Sequence, residues 1–271
     1  MNRTPLTEIE NLAESIGEDY LINGRVDLNQ LALANEITVI HESYGEYFLG
    51  QLLHEDGEFF IYVNSDMLPD INEPRARFTL AHDCGHYFID NHRNELKKGI
   101  SLSYTNGCLI PGKPRHEIEA DHFASHLLMP KSIFIYNARQ FEPAMEAVLN
   151  LKDVFNTSIE CTALHYVKLN IVPCLLIRWK PHSLEQYAIR SSTLGQLTGI
   201  SEWPNVTVNV PYMQSLLDEI QYSVPKIDFT ERITRLSSWV ASIAPSSQKD
   251  LTGLEQTFKL GNYGTITFLV F

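Results

Sequence analysis

The chain has 271 residues, 44% of them hydrophobic and 20% charged, with 21 basic against 33 acidic side chains and a formal net charge of −12. This is an ordinary folded composition, long enough for one large domain or two to three small ones, and the acidic balance argues against a broad nucleic-acid surface. No apolar run reaches the roughly 18 residues of a membrane span, and residues 1–17 hold no apolar leader-like stretch. The four cysteines, Cys84, Cys108, Cys161 and Cys174, form no C-x-x-C pair. They read as free thiols, so the expected setting is the reducing cytoplasm.

In chain order, residues 5–16 and 26–36 are predicted as helices. The second places Val26, Leu28, Leu31, Leu33 and Ile37 at near-helical spacing. The period then changes, and residues 37–43 and 46–65 are rich in β-branched and aromatic types. Asp56-Gly57 splits the latter run and predicts a hairpin. Its aromatics (E-F-F-I-Y-V) read as sheet and core, and the sheet edge near Tyr62 and Asn64 is a place for an extended substrate strand. Pro74 suits the first turn of a helix running to about Asp90. Residues 91–114 read as an irregular loop. Residues 115–129 form a further predicted helix stopped by Pro130, and residues 131–139 another. Residues 143–170 read as two short helices joined at F-N-T-S, with Thr157 or Ser158 as cap. Residues 171–179 read as a buried strand. Further on, residues 185–192, 206–210 and 265–271 are strand-like, while 213–221 and 229–243 are helix-like. There is no internal repeat.

The chemistry concentrates in R-F-T-L-A-H-D-C-G-H-Y-F-I-D, residues 77–90. Four residues on a helix advance about 40° around the axis, so His82 and His86 can reach one ion. Asp83 follows His82 and can face a metal-bound water. Nitrogen and oxygen donors with one open position suit zinc. A nearby carboxylate can then take a proton from water and pass it to a leaving amine. The 115–129 helix offers Glu117 and Asp121, also four apart. Glu117 can ligate while Asp121 orients a ligand histidine. His116 is an alternative third ligand. Glu119 stands about 200° from Glu117 and cannot point at the same ion. His122 and His126 also lie four apart, but about 140–180° from Glu117. They read as surface polar residues outside the site. Cys84 is read as a small buried residue at a helix–sheet contact rather than a redox sensor.

The two blocks R-A-R-F-T-L-A-H-D-C-G-H-Y-F-I-D and E-I-E-A-D-H-F-A-S-H-L-L-M-P together resemble the ImmA/IrrE family of metallopeptidases. That family pairs R-F-T-x-A-H-E-x-G-H with E-x-x-A-[ND]-x-F-A-x-x-L-L-M-P. The resemblance rests on Arg77, Phe78, Thr79, Ala81, His82, Gly85 and His86, and on Glu117, Ala120, Asp121, Phe123, Ala124, Leu127, Leu128, Met129 and Pro130. It spans about residues 10–175. It implies an α+β fold: a zincin-like peptidase domain, residues 1–140, whose motif helix packs on a small mixed sheet. A helix-turn-helix-like segment, 141–172, and a mixed α/β domain, 173–271, follow, the latter possessing no matched motif. It further implies Zn2+ held by His82, His86 and Glu117, with Asp83 at the general-base position. The implied substrate is a helix-turn-helix repressor, cut to relieve repression in phage, mobile-element or stress circuits. Direct DNA binding by residues 143–170 is disfavoured by the acidic charge, with Lys152 and Lys168 the nearby basic residues.

One position departs from the family pattern. Asp83 stands where the family has glutamate, so its oxygens retreat by about 1.5 Å, one carbon–carbon bond. A misplacement on the order of 1 Å costs roughly a hundredfold in rate. Three readings follow: an active enzyme with an adjusted helix, an inactive relative that binds and sequesters its transcription factor, or an introduced change that keeps charge and weakens catalysis.

Overall fold

The computed structural model describes residues 4–100, 113–179, 186–199, 230–240, 243, 247–261 and 264–271. Predictions for the loop at 101–112, the strand at 206–210 and the helix at 213–221 lie outside these. The chain separates into two compact units. One is Met1–Phe134 with Leu151–Cys161, the other Ile135–Asn150 with Thr162–Phe271. The segment 141–172 therefore contributes to both. The architecture is α+β, and no helix among the described residues is long and apolar enough to cross a membrane.

The first unit opens with α1 (Leu6–Asp19), a two-residue β1 (Leu21–Ile22) and β2 (Arg25–Val26), and α2 (Leu28–Ala34). The β1–β2 hairpin corrects the helix expected from residue 26. Asn23 and Gly24 both take positive φ, 52° and 81°, which suits Asn-Gly in a tight turn. Asp27 then caps α2, its side chain accepting from the Asn29 and Gln30 amides at 3.0 Å.

Three strands follow: β3 (Ile37–Glu42), β4 (Gly50–Glu55) and β5 (Glu58–Asn64), in the order β3-β5-β4. β5 runs parallel to β3 and antiparallel to β4, so the sheet is mixed. The Asp56-Gly57 turn closes the β4–β5 hairpin with φ of 50° and 91°, the left-handed pair of a type I′ turn. β5 is thus the central strand. Its backbone is paired on both sides, so the substrate-accepting edge expected at Tyr62–Asn64 is not there; among the described strands β3 and β4 are the edges.

The motif helix α3 (Pro74–Phe88) has proline in its first turn, where the missing amide costs nothing. It packs on the sheet, with the Phe59 and Tyr87 rings edge to face at 5.0 Å. A short helix α4 (Asp90–Leu96) occupies the start of the region predicted as irregular loop. Three residues after His86, the chain turns at Ile89, takes Asp90 into the first turn and buries His92 and Leu96. That burial makes helix of a polar stretch. Helix α5 (Arg115–Leu128) buries Glu117, Ala120, Phe123, Ala124, Leu127 and Leu128 on one face. Helices α6 (Lys131–Ala138), α7 (Met145–Phe155) and α8 (Ile159–Lys168) follow, and Ser158 Oγ accepts from the Cys161 amide at 3.1 Å as α8 begins.

The second unit is built on a five-stranded antiparallel sheet. Its strands are β6 (Cys174–Trp179), β7 (Gln186–Arg190), β8 (Thr230–Arg235), β9 (Thr252–Lys259) and β10 (Thr265–Val270), in the order β7-β6-β10-β9-β8. Helix α9 (Ser192–Thr198) and the single-turn α10 (Leu236–Trp239) also belong to it. Leu175, Ile177, Trp179, Leu194, Leu236, Trp239 and Leu269 form its apolar cluster. Residues 230–235 form a strand, not the expected helix. Thr230, Ile233 and Thr234 are β-branched, and β9 supplies the ladder that an isolated segment lacks.

Candidate metal centre

Two helices bring the motif residues together, and a glycine sets their spacing. A Cβ placed on Gly85 of α3 would stand 3.2 Å from both the Ala120 carbonyl oxygen and Phe123 Cβ of α5. The absence of a side chain there lets α5 lie close against α3. One turn away, Glu117 of α5 meets the histidines of α3.

His82 Nε2 lies 3.4 Å from Glu117 Oε2, and His86 Nε2 lies 3.4 Å from Glu117 Oε1. The two Nε2 atoms are 3.1 Å apart. The three side chains each offer a donor atom within 4.8 Å of the others. These spacings test whether the residues fit zinc. Bonds of roughly 2.0–2.1 Å to a tetrahedral ion put its donors about 3.3 Å apart. The two 3.4 Å approaches run to different oxygens of Glu117, and with one donor taken from each residue the set lies within 4.8 Å, near enough for a small adjustment of the side chains to close it on one ion. Two imidazoles and one carboxylate are a donor set that zinc accepts. His116, the alternative ligand, borders the set, with Nε2 3.4 Å from Glu117 Oε1.

Behind the donors, each histidine is held by its other nitrogen. His82 Nδ1 meets Asp121 Oδ1 at 2.9 Å, and the buried Lys113 ammonium donates to Asp121 Oδ2 at 2.6 Å. His86 Nδ1 meets His92 Nδ1 at 3.1 Å; His92 Nε2 meets Glu119 Oε2 at 3.0 Å; Arg115 Nε donates to Glu119 Oε1 at 2.6 Å. Such partners fix ring tautomer and orientation. Glu119, placed away from Glu117 by helical geometry, reaches the site through His92. Sequence reasoning missed His92 and Lys113, and it gave Glu119 no role. The available signal for His92 was a third histidine six residues after His86.

Electrostatics separates the two motif histidines. For His82, burial disfavours the charge but hydrogen bonds to Asp121 and Glu117 outweigh it, and the ring keeps its proton up to about 9. Burial dominates at His86, with the charges of His82 and His92 adding to it, and pushes the ring down to about 3 despite Glu117. Glu117 falls well below its ordinary range, because hydrogen bonds with both histidines overcome its burial.

Asp83 is buried beside them, 4% exposed, and its Oδ2 has no hydrogen-bond partner among the described residues. Burial raises its carboxyl to about 7; the His82 charge pulls it down and the Glu117 charge adds to the rise. A carboxylate that titrates near neutrality suits proton transfer. The edge strand β4 lies directly against it. A Cβ on Gly50 would come within 2.3 Å of Thr79 Cγ2 and 2.6 Å of Asp83 Oδ2. Gly50 was not singled out from the sequence, because the need for glycine there arises from α3 crossing β4. Cys84 is fully buried and its thiol is pushed up by burial and by Asp83, in keeping with a packing residue.

The second histidine pair departs from expectation. His126 is 3% exposed and its Nδ1 lies 2.9 Å from Glu14 Oε1 of α1. His122 Nε2 lies 4.0 Å from Glu10 Oε2. The pair is not a solvated face, because α1 packs along that side of α5.

Residues 36–165 match the family model Peptidase M78, the IrrE N-terminal-like domain. No curated protein matches the chain. Among solved structures, a Mycobacterium tuberculosis transcriptional regulator is similar, with a TM-score of 0.58 at 13% identity, over 97% of this chain and 86% of that one. At that identity the likeness speaks for the fold alone.

Proposed function

From the match of residues 36–165 to the IrrE N-terminal-like domain of Peptidase M78, we propose that the chain is a zinc-dependent endopeptidase. Its substrate is a helix-turn-helix transcriptional repressor, and its setting is the cytoplasm. The carrying observation is the convergence of His82, His86 and Glu117 beside the buried Asp83. His82, His86 and Glu117 hold the ion, with Asp121 orienting His82. When bound, zinc supplies Lewis acidity to the scissile carbonyl and the attacking water. Asp83 accepts a proton from that water at its carboxylate oxygen. It then returns the proton to the leaving amine as the amide carbon–nitrogen bond breaks, so one water is consumed and the carboxylate is regenerated. Among the described residues the outer edge of β4, with Gly50 against Asp83, has no strand partner and offers backbone groups to an extended substrate.

A second reading is favoured by the length of Asp83: a zincin-fold regulator of little or no turnover that sequesters its transcription factor. Incubation with a helix-turn-helix repressor encoded beside the gene separates the two. Cleavage that stops on chelation supports the enzyme. Tight binding without cleavage, with cutting gained in Asp83→Glu, supports the second reading. Neither cleavage nor binding would remove both.

A further inference from the structure

We infer that helices α1 and α5 form a second binding site for a divalent transition metal, made by Glu10, His122 and His126 with Glu14 behind them. The three ligand groups offer donor atoms within 4.8 Å of one another. They come from two i, i+4 pairs on facing helices. Glu10 and Glu14 lie on one side of α1, and His122 and His126 lie on the side of α5 turned toward it. Pairing carboxylates and histidines across two packed helices is how helical bundles build metal sites.

The arrangement repeats a device of the first centre. There, Asp121 engages His82 Nδ1 at 2.9 Å and leaves Nε2 to the donor set. Here Glu14 Oε1 engages His126 Nδ1 at 2.9 Å, so Nε2 is the ring nitrogen that would ligate an ion. A carboxylate that accepts from one ring nitrogen fixes the tautomer and raises the basicity of the other. The imidazole-rich set selects zinc, nickel, cobalt or copper over magnesium and calcium, which take oxygen ligands. Lys131 Nζ competes as a cation, 3.6 Å from Glu10 Oε1. It sits on the oxygen away from His122, and its half-exposed side chain can turn to solvent. With His122 and Glu10 side chains 15% and 23% exposed, the site is reachable from solvent. An ion there would tie α1 to α5, the helix that carries Glu117.

The test uses the full chain, stripped of metal and dialysed against buffered free Zn2+, with bound metal counted by elemental analysis. Two equivalents are expected for the unaltered chain. His122→Ala should lose one, and His82→Ala/His86→Ala should lose the other. Melting temperature supplies a readout independent of activity. Zinc should raise it in His82→Ala/His86→Ala, and that rise should vanish when His122→Ala is added. One equivalent, insensitive to His122→Ala and lost with His82→Ala/His86→Ala, would leave the cluster as an ion-pair contact only and overturn the inference. The reverse pattern, one equivalent lost with His122→Ala alone, would uphold this site and count against the first.

Discussion

His86 and His92 face each other Nδ1 to Nδ1 at 3.1 Å, so one ring must donate and the other accept. Once an ion takes the lone pair of His86 Nε2, the proton of that ring lies on Nδ1, and Nδ1–H is the donor. His92 Nδ1 then accepts, and its Nε2–H donates to Glu119, which Arg115 holds. His92→Phe removes the acceptor and leaves Nδ1–H of His86 buried without a partner. The expected loss is about 10–100-fold in zinc affinity at the first centre, measured by competition with a chelator in the His122→Ala background. Unchanged affinity would show that His92 merely packs.

Asp83→Asn keeps the size of the side chain and removes its capacity to accept a proton. Cleavage should fall on the order of 10²–10⁴-fold with bound zinc unchanged. Asp83→Glu advances the carboxylate by about 1.5 Å and should raise turnover above that of the unaltered chain. A fall in Asp83→Glu would mean that the pocket beneath Gly50 is shaped to the shorter acid.

Gly50→Ala places a methyl within 2.3 Å of Thr79 Cγ2 and 2.6 Å of Asp83 Oδ2. Overpacking of this kind costs about 1–3 kcal/mol, read as a lower melting temperature. Because the methyl displaces Asp83, cleavage should drop while zinc content holds. Equal loss of both would place the effect on folding rather than on the proton acceptor.

The metal-free centre carries its proton on His82, which holds it up to about 9, while His86 is neutral above about 3 and Glu117 is ionised. A metal must expel that proton. Zinc binding to His122→Ala at pH 7.5 should release about one proton, and affinity should weaken roughly tenfold for each unit that pH falls below 9. Calorimetry in buffers of different ionisation enthalpy measures the release. Binding without proton release would show that His82 is neutral before the ion arrives.

Cys84 and Cys174 are fully buried, and burial pushes the Cys174 thiol up to about 12 and the Cys84 thiol upward as well. Since the thiolate is the reactive form, an aromatic disulfide reagent at pH 8 should leave both unmodified until urea is added, as peptide mapping would show. Rapid labelling of Cys84 in the folded chain would restore a redox role for it.

The amino-acid sequence determined the features that are local. Helical periodicity alone put His82 with His86 and Glu117 with Asp121. The Asp56-Gly57 dipeptide dictated the β4–β5 hairpin through the left-handed conformations it allows, and Pro74 and Pro130 bounded the helices that carry the donors. Asn23-Gly24 was a turn signal of the same kind, in a stretch between the two predicted helices that carries no predicted element. Tertiary structure decided everything that needed a neighbour distant in the chain. Whether Tyr62 lay at an edge depended on which strand paired with β5. His126 became buried because α1 lies along α5. His92 joined the centre because α4 folds back on α3, and residues 230–235 became a strand because β9 was there to pair. Periodicity fixes which side chains share a face, since it is set by backbone geometry within a few residues. What that face meets is fixed by packing among elements far apart in sequence.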